Sequence, residues 1–286
     1  MNEPDYEQRG YLNCSFKFFH ICNKEALDVP YHYHDFDKII LFLHGNTKYT
    51  IEGKEYELKP YDFILVNRYD IHKAIVSSQT NYDRMILYID HDFLNSFDES
   101  GEDGFSLTEC FDEAAKRKTY VVRFPANVSS KLYENLNALE EAVTLENESY
   151  AGKLLSKTEM IKFMIGINRA AKEEQLAFFP EARYNPKIVE IIEYIGEHLS
   201  EDLSIDSIAD EFFISKYHMM RMFKADTGYS IHKYISEKRI LNARSLILNG
   251  ETASNACIMC GFMDYSSFCR AFRAQLGILP SELTIK

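Results

Sequence analysis

The chain has 286 residues, 46% of them hydrophobic and 14% aromatic, enough for about two domains with sizeable cores. No run of about 18 apolar residues occurs and the opening MNEPDYEQRG is unlike a secretion signal, which argues against a spanning helix and predicts a cytoplasmic protein. A net charge of −12 argues against coating nucleic acid without regard to sequence, and six irregularly placed cysteines fit a reducing compartment better than a disulfide framework.

The first third reads as β-structure. KIILFLHG (38–45) is a short apolar run, YTIEGKEYEL (49–58) alternates around a turn at Gly53, and DFILVN (62–67) follows the turn at Pro60-Tyr61-Asp62. RMILYI (84–89) is a further strand. Short strands punctuated by Gly, Pro and Asn predict an antiparallel barrel or sandwich, and no glycine-rich phosphate loop points to a nucleotide fold. From Asn127 the period changes: Leu132, Leu136, Leu139 and Val143 step by 4, 3 and 4, and residues 151–175 continue as helix. That seam spans only about two heptads, so it reads either as a helix packing on its own barrel or as a dimer contact. AFFPEARYNP (177–186), with two prolines, is the best boundary, and everything after it reads helical, starting with Pro186 in a first turn.

The last hundred residues contain a degenerate duplication. IADEFFISKYHMMRMFKADTG (208–228) lies on ACIMCGFMDYSSFCRAFRAQLG (256–277), offset by 48 residues before the turn and 49 after it. In that register Ala209 matches Cys257, Arg221 matches Arg270, Lys224 matches Arg273 and Gly228 matches Gly277. Each copy has the anatomy of a helix-turn-helix, with a small residue on the first helix and, on the second, one apolar and one polar face. The second helix of such a unit enters the DNA major groove, where an arginine fork suits guanine and an aromatic or thioether side chain covers a thymine methyl. This gives a use to the stripe Tyr217, Met220, Arg221 and Lys224 on a helix whose other face is Met219, Met222 and Phe223. Between the units, residues 230–250 have helical apolar spacing; about 20 helical residues extend roughly 30 Å, near the spacing of about 34 Å between successive exposures of the groove. One chain is therefore expected to read two groove segments. Charge agrees: within 215–244 seven basic residues stand against Asp226 and Glu237, although the whole of 185–286 carries 11 Lys+Arg against 13 Asp+Glu.

Residues 186–286 resemble the DNA-binding domain of AraC/XylS-type transcription regulators, through LSIDSIADEFFISKYHMMRMFKADTGYSIHKYI, RILNARSLIL and GFMDYSSFCRAFRAQLGILPSEL. The resemblance implies base contacts from Tyr217, Met220 and Arg221 in the first unit and from Tyr265, Ser266, Cys269 and Arg270 in the second. Leu283-Thr284 depart from the aromatic and basic pair that usually closes the second unit, and Cys257 and Cys260, usually small or apolar positions, are read as core packing. Lys216, Lys224, Lys238 and Arg239 are read as phosphate contacts, which give affinity without sequence information.

The amino-terminal module is similar to a cupin. PYHYHDFDKIILFLHG (30–45) resembles the first cupin motif through His32, His34 and Gly45, and KPYDFILVNRYDIH (59–72) resembles the second, ending in His72. His32 and His34, two apart on one strand, would share a face. Lys38 stands where the motif has its metal-binding glutamate, and an ammonium there would repel a divalent cation. The histidines are accordingly read as framing an organic effector together with Lys38 and Tyr49, by charge-assisted bonds to hydroxyls or a carboxylate, and no metal or other cofactor is expected.

The fold class is thus α+β multidomain: a cupin-like barrel over 1–125, a helical dimerisation or support segment over 126–176, a linker over 177–185 and a double helix-turn-helix domain over 186–286. The function implied is a sequence-specific transcription regulator, an activator on the resemblance, responsive to a small metabolite of the sugar or carboxylate kind. Its partners would be promoter DNA, a second copy of the chain and RNA polymerase. The carboxylates show no spacing that singles out an acid–base pair, so no catalytic residue is assigned. Two other readings stay open: a metallocupin isomerase or dioxygenase fused to a DNA-binding tail, and a regulator that needs no ligand.

Overall fold

In the computed structural model, which describes residues 9–10, 12–24, 27–77, 81–99, 104–172 and 182–283, the apolar runs become neighbouring strands of one sheet. The strands are β1 (Arg9–Gly10), β2 (Phe16–Asn23), β3 (Leu27–Asp28), β4 (Tyr33–His34), β5 (Asp37–His44) and β6 (Thr47–Ile51), then β7 (Lys54–Glu57), β8 (Phe63–Val66), β9 (His72–Val76), β10 (Tyr82–Ile89) and β11 (Val121–Val122). One antiparallel sheet has the order β11-β8-β5-β10-β2 and a second the order β3-β9-β6-β7, while β1 and β4 form a short parallel pair. Both larger sheets are antiparallel throughout, as predicted for a barrel or sandwich.

The near-continuous hydrophobicity of β5, β8 and β10 has a physical cause: the five-stranded sheet is covered on both faces. Alternate residues Ile40, Phe42, Ile64 and Ile86 meet Tyr49, Ile51 and Val76 of the other sheet. Ile39, Leu41, Phe63, Leu65, Met85 and Leu87 face the opposite way, onto helices. Those helices are α1 (His91–Asn95), α2 (Glu109–Arg117), α3 (Ala126–Thr144) and α4 (Gly152–Lys172). Leu132, Leu136 and Leu139 of α3 sit in that core, with Phe163, Met164 and Ile167 of α4. The leucine seam therefore packs on its own sheet, and its buried side chains cannot double as an exposed dimer seam. Asp62, fully buried, is held by Arg123, whose Nε and Nη2 donate at 2.6 and 2.7 Å.

The chain divides between Arg183 and Tyr184, inside the expected linker, of which residues 177–181 lie outside the described residues, as do 173–175 at the end of the expected helix and Thr284. The second unit is helical: α5 (Pro186–Glu197), α6 (Ile205–Glu211), α7 (Lys216–Thr227), α8 (Ile231–Leu248), α9 (Ala253–Met259) and α10 (Tyr265–Leu276). The duplication is visible residue by residue. α6 and α9 are seven residues long and start 48 apart; α7 and α10 are twelve long and start 49 apart. Ser204 and Thr252 cap the first helices with their hydroxyls, and Gly228 and Gly277 end the second ones in the left-handed conformation. Ala209 and Cys257 are both buried at the same place, and Cys260 is buried beside Cys257, so this cysteine pair is core. All six cysteines are free thiols.

Candidate functional site

Two places gather the residues singled out above. The first is the outer face of α7 and α10. On each helix one stripe is buried (Met219 and Phe223; Phe268 and Phe272), so the helix can present only its opposite stripe. Tyr217 is 75% exposed and Met220, Tyr265, Ser266, Arg221 and Arg270 are exposed as well. Among the described residues, the side-chain hydrogen bonds of both arginines stay on their own helix, three residues back: Arg221 Nη2 lies 3.4 Å from His218 Nδ1, and Arg270 Nη2, whose charge also helps hold the Asp264 carboxyl below its ordinary pKa, donates to Ser267 Oγ at 3.0 Å. Each guanidinium is thereby aligned along its helix while keeping donors for another partner. Cys269 differs from its counterpart Met220. It is half-buried against the second unit's core, and the Tyr265 hydroxyl, raised in pKa by partial burial and a bond to Cys269, leans on it.

The rod α8 ties both units to one frame. Near its start Tyr234 packs edge-on against Phe223 of α7, and towards its end Ile240, Ala243 and Ile247 enter the core of α9 and α10. Gln275 of α10 donates to the carbonyl of Glu237 midway along it at 3.1 Å. Eighteen helical residues span about 27 Å.

The four expected phosphate contacts do not stand alike. Lys224 is exposed and makes no ion pair among the described residues. Lys216 is exposed but pairs with Asp206 at 3.0 Å, and Lys238 is half-buried over the Tyr234 ring. Arg239 needs a correction: its guanidinium is a structural clamp. Nε donates to the carbonyl of Leu199 at 2.8 Å and Nη2 to that of Glu201 at 2.5 Å, and partial burial lowers its pKa. Its other neighbour is Gly261, in the turn of the second unit. With φ at +75°, this residue brings its α-carbon so close to the loop before α6 that a Cβ would stand 2.7 Å from the Leu199 oxygen. The counterpart in the first unit, Phe213 (φ 54°), is exposed, so only the second copy needs glycine for close approach. Arg239→Ala and Gly261→Ala are each expected to destabilise the second unit, by about 1.5–3 kcal/mol for the lost charged hydrogen bonds and about 1–3 kcal/mol for backbone strain. Urea denaturation followed by circular dichroism measures both; an unchanged midpoint in either would remove its role in the clamp.

The second place is the interior of the first unit. His32 and His72 exchange two backbone hydrogen bonds, 3.1 and 2.9 Å, which sets their rings 4.3 Å apart, and His34 is 5.0 and 5.2 Å from them. The predicted shared face of His32 and His34 is thus present. Lys38 and Tyr49 join them, so the five residues read as an effector pocket do converge. Sequence reasoning missed Arg84, a fully buried cation on β10 whose Nη2 has no hydrogen-bond partner and which lies 4.0 Å over the Tyr82 ring. A charge in a strand reads as outward-facing, and only its burial shows otherwise. Burial lowers the pKa of the three histidines and of Lys38, with repulsion from neighbouring bases adding to it: His32 to about 4, Lys38 to about 7, and His34 and His72 well below their ordinary value. Beside His32, Lys38, Tyr49 and Arg84 the interior holds a void with room for about one water. A larger groove of about 420 Å³ lies outside, between β2 and the helices, walled by Phe16, Phe18 and Val143 with Lys17, Lys153 and Lys157 at its rim.

Paired helix-turn-helix units on one rod, preceded by a β-sandwich with its own core, define a two-domain DNA-binding regulator. Residues 21–155 match the AraC-like ligand-binding domain and residues 208–284 a helix-turn-helix domain. The chain belongs to the AraC family of transcription regulators. It is similar to the HTH-type transcriptional activator RhaS of Mannheimia succiniciproducens, 22% identical over 259 residues that cover 90% of this chain and 89% of that one. Among solved structures, ToxT of Vibrio cholerae aligns over 94% of this chain and 97% of its own, at 16% identity and a TM-score of 0.36. The DNA-binding domain of AdpA in complex with a target DNA aligns over 34% of this chain and 87% of its own, at 26% identity and a TM-score of 0.32. No described helix is long and apolar enough to cross a membrane.

Proposed function

We propose that this regulator is a cytoplasmic transcriptional activator that reads two successive major-groove segments of its promoter with α7 and α10. The observation that carries the reading is the pair of exposed, equivalently placed arginines, Arg221 and Arg270, on two helices fastened to one rod. Arg221 and Arg270 read bases, Tyr217, Met220, Tyr265 and Ser266 cover neighbouring base edges, and Cys269, half-buried, contributes least. Lys224 binds phosphate, Lys216 does so by giving up Asp206, Lys238 meets the backbone only at its edge, and Arg239 has no part. Footprinting on DNA selected by the protein tests this: two protected patches one helical turn apart are expected. In the same assay Lys224→Ala should weaken all sequences alike and lower the salt slope by about one unit, with stability changed by no more than about 0.5 kcal/mol. A single protected patch would refute the two-groove reading.

The first unit senses a metabolite and dimerises, and recruitment of RNA polymerase follows from occupancy of the promoter. A sugar does not fit the one-water void as it stands, so an organic effector either opens the sandwich around His32, Lys38 and Tyr49 or occupies the outer groove. The groove's volume lies in the range of metabolite sites, and its three lysines favour a carboxylate. For the dimer, Leu154, Leu155 and Ile165 on the outer side of α4 are 65%, 47% and 44% exposed and are better placed than the buried α3 seam. An effector acts here only by binding one of two arrangements of the regulator more tightly than the other.

A further inference from the structure

The two recognition helices differ at the positions beside their arginines. The 49-residue offset sets Ser215 against Asp264, His218 against Ser267 and Arg221 against Arg270. At the head of α10 the Asp264 carboxylate caps the helix twice. Its Oδ1 accepts from the Ser266 N–H at 3.2 Å and its Oδ2 from that of Ser267 at 2.7 Å. The Ser267 side chain bonds the same carboxylate, and its Oγ accepts from Arg270 Nη2 at 3.0 Å. A carboxylate only accepts and a guanidinium only donates, so the directions are fixed: guanidinium to hydroxyl, hydroxyl to carboxylate. Bonds in such a chain polarise one another, and here its ends carry opposite charges. The Asp264 carboxyl is held below its ordinary pKa by the Ser267 hydroxyl first, then by the two backbone N–H groups and Arg270. The first unit has the arginine without the chain. Among the described residues Ser215 makes no side-chain cap bond on α7, and Arg221 meets only an imidazole nitrogen, at 3.4 Å. Tyr265 is anchored too, by its bond to Cys269 and its ring 5.8 Å from that of Phe268, whereas Tyr217 is largely exposed.

We infer that Ser267 and Asp264 are positioning residues for Arg270, and that they make α10 the stricter of the two readers and α7 the more adaptable one. Base edges are met by the N-terminal part of a recognition helix. Arg270 stands in the second turn of α10, and its bond to Ser267 draws the guanidinium back towards that end. An arginine loses much side-chain freedom on docking to a base, and one already held has less to lose. Held in this way, it also cannot swing to a neighbouring base or phosphate without breaking the chain. Both effects raise discrimination at one base more than general affinity. Arg221 approaches its base from a wider set of rotamers and tolerates more sequences. This role for Ser267 rests on the reading of Arg270 as a base contact, and the test separates the two.

Full-length protein is titrated against duplexes that carry each of the four bases at every position of the two protected patches. Ser267→Ala is expected to lower discrimination about 2- to 10-fold at the base that Arg270→Ala affects. The first patch, binding to unrelated DNA and the urea midpoint should all stay as in the wild type. Ser267→Thr, which keeps the hydroxyl, should retain full discrimination, and Asp264→Asn, which keeps a capping oxygen but not the charge, should relax the same base as Ser267→Ala. If Arg270→Ala changes no base preference, base reading by Arg270 fails and its positioning with it. If Arg270→Ala relaxes one base while Ser267→Ala leaves that base intact, or relaxes a different one, the positioning alone is overturned.

Discussion

Replacing both Arg221 and Arg270 by alanine is expected to weaken binding to the selected promoter sequence by between about 30-fold and about 10⁴-fold while leaving binding to unrelated DNA within a few-fold. A bidentate arginine–guanine contact discriminates by about 1–3 kcal/mol. The two sites lie on different helix-turn-helix units with no shared partner, so their effects should add. At about 1.4 kcal/mol per tenfold, the sum covers the stated range. The folded state has little to lose, since each side chain is exposed and its recorded bond is to a residue three positions back on its own helix. The single variants should each relax preference at different base positions, separated by about one helical turn. Fluorescence anisotropy with selected and scrambled duplexes, at two salt concentrations, measures both terms. Equal loss on the two duplexes would make the arginines phosphate contacts and leave base reading to the aromatic residues.

The duplication was legible because a helix-turn-helix repeats its small residue, its buried stripe and its closing glycine at fixed spacing, and the extra residue in the second turn shifts the register by one. The doubly covered strands were legible as apolar runs. Less visible was β2, FKFFHICN, whose burial follows no clean alternation because both its faces are partly covered, Phe16 and Phe18 on the helix side and Phe19 and Ile21 against the other sheet. β9, HKAIV, does alternate buried and half-buried, but it was read only as the end of a motif at His72. Partners remote in sequence defeated the reading of cations. Arg239 looks like any helix-surface arginine until the carbonyls 38 and 40 residues before it are brought alongside. The α3 seam was legible as a stripe but not as to its partner, since a leucine face packs equally well on its own sheet or on another copy. The five interior residues were legible from their motif, whereas the absence of any acidic group among those lining their void depends on the pairing of strands.

That cation-rich interior makes acid the weak point of the first unit. Lowering the pH from 7.5 to 5 is expected to cost it several kcal/mol. His32 has a folded pKa of about 4 against 6.5 unfolded, and His34 and His72 are displaced in the same direction by burial and by their neighbours. Between the folded and unfolded values the unfolded chain binds the extra protons, so stability is full above about pH 6.5 and falls as the pH drops towards 4. At about 1.4 kcal/mol per unit, His32 alone accounts for roughly 3 kcal/mol over that window. Lys38 follows the same sign at higher pH. Its folded value of about 7 against 10.5 means that stability declines as the pH falls from 10.5 to 7, so at neutral pH most of the cost of burying it has already been incurred. Lys38→Met, which keeps the chain's length and removes the charge, should therefore stabilise the unit by a few kcal/mol at pH 7 and flatten the dependence between pH 7 and 10. The histidine limb below pH 6.5 should survive it, reduced by the repulsion Lys38 exerts on all three rings. With no tryptophan in the chain, urea titrations read by circular dichroism are the practical measurement, and a wild-type midpoint that stays flat from pH 7.5 to 5 would mean that the imidazoles are solvated rather than enclosed.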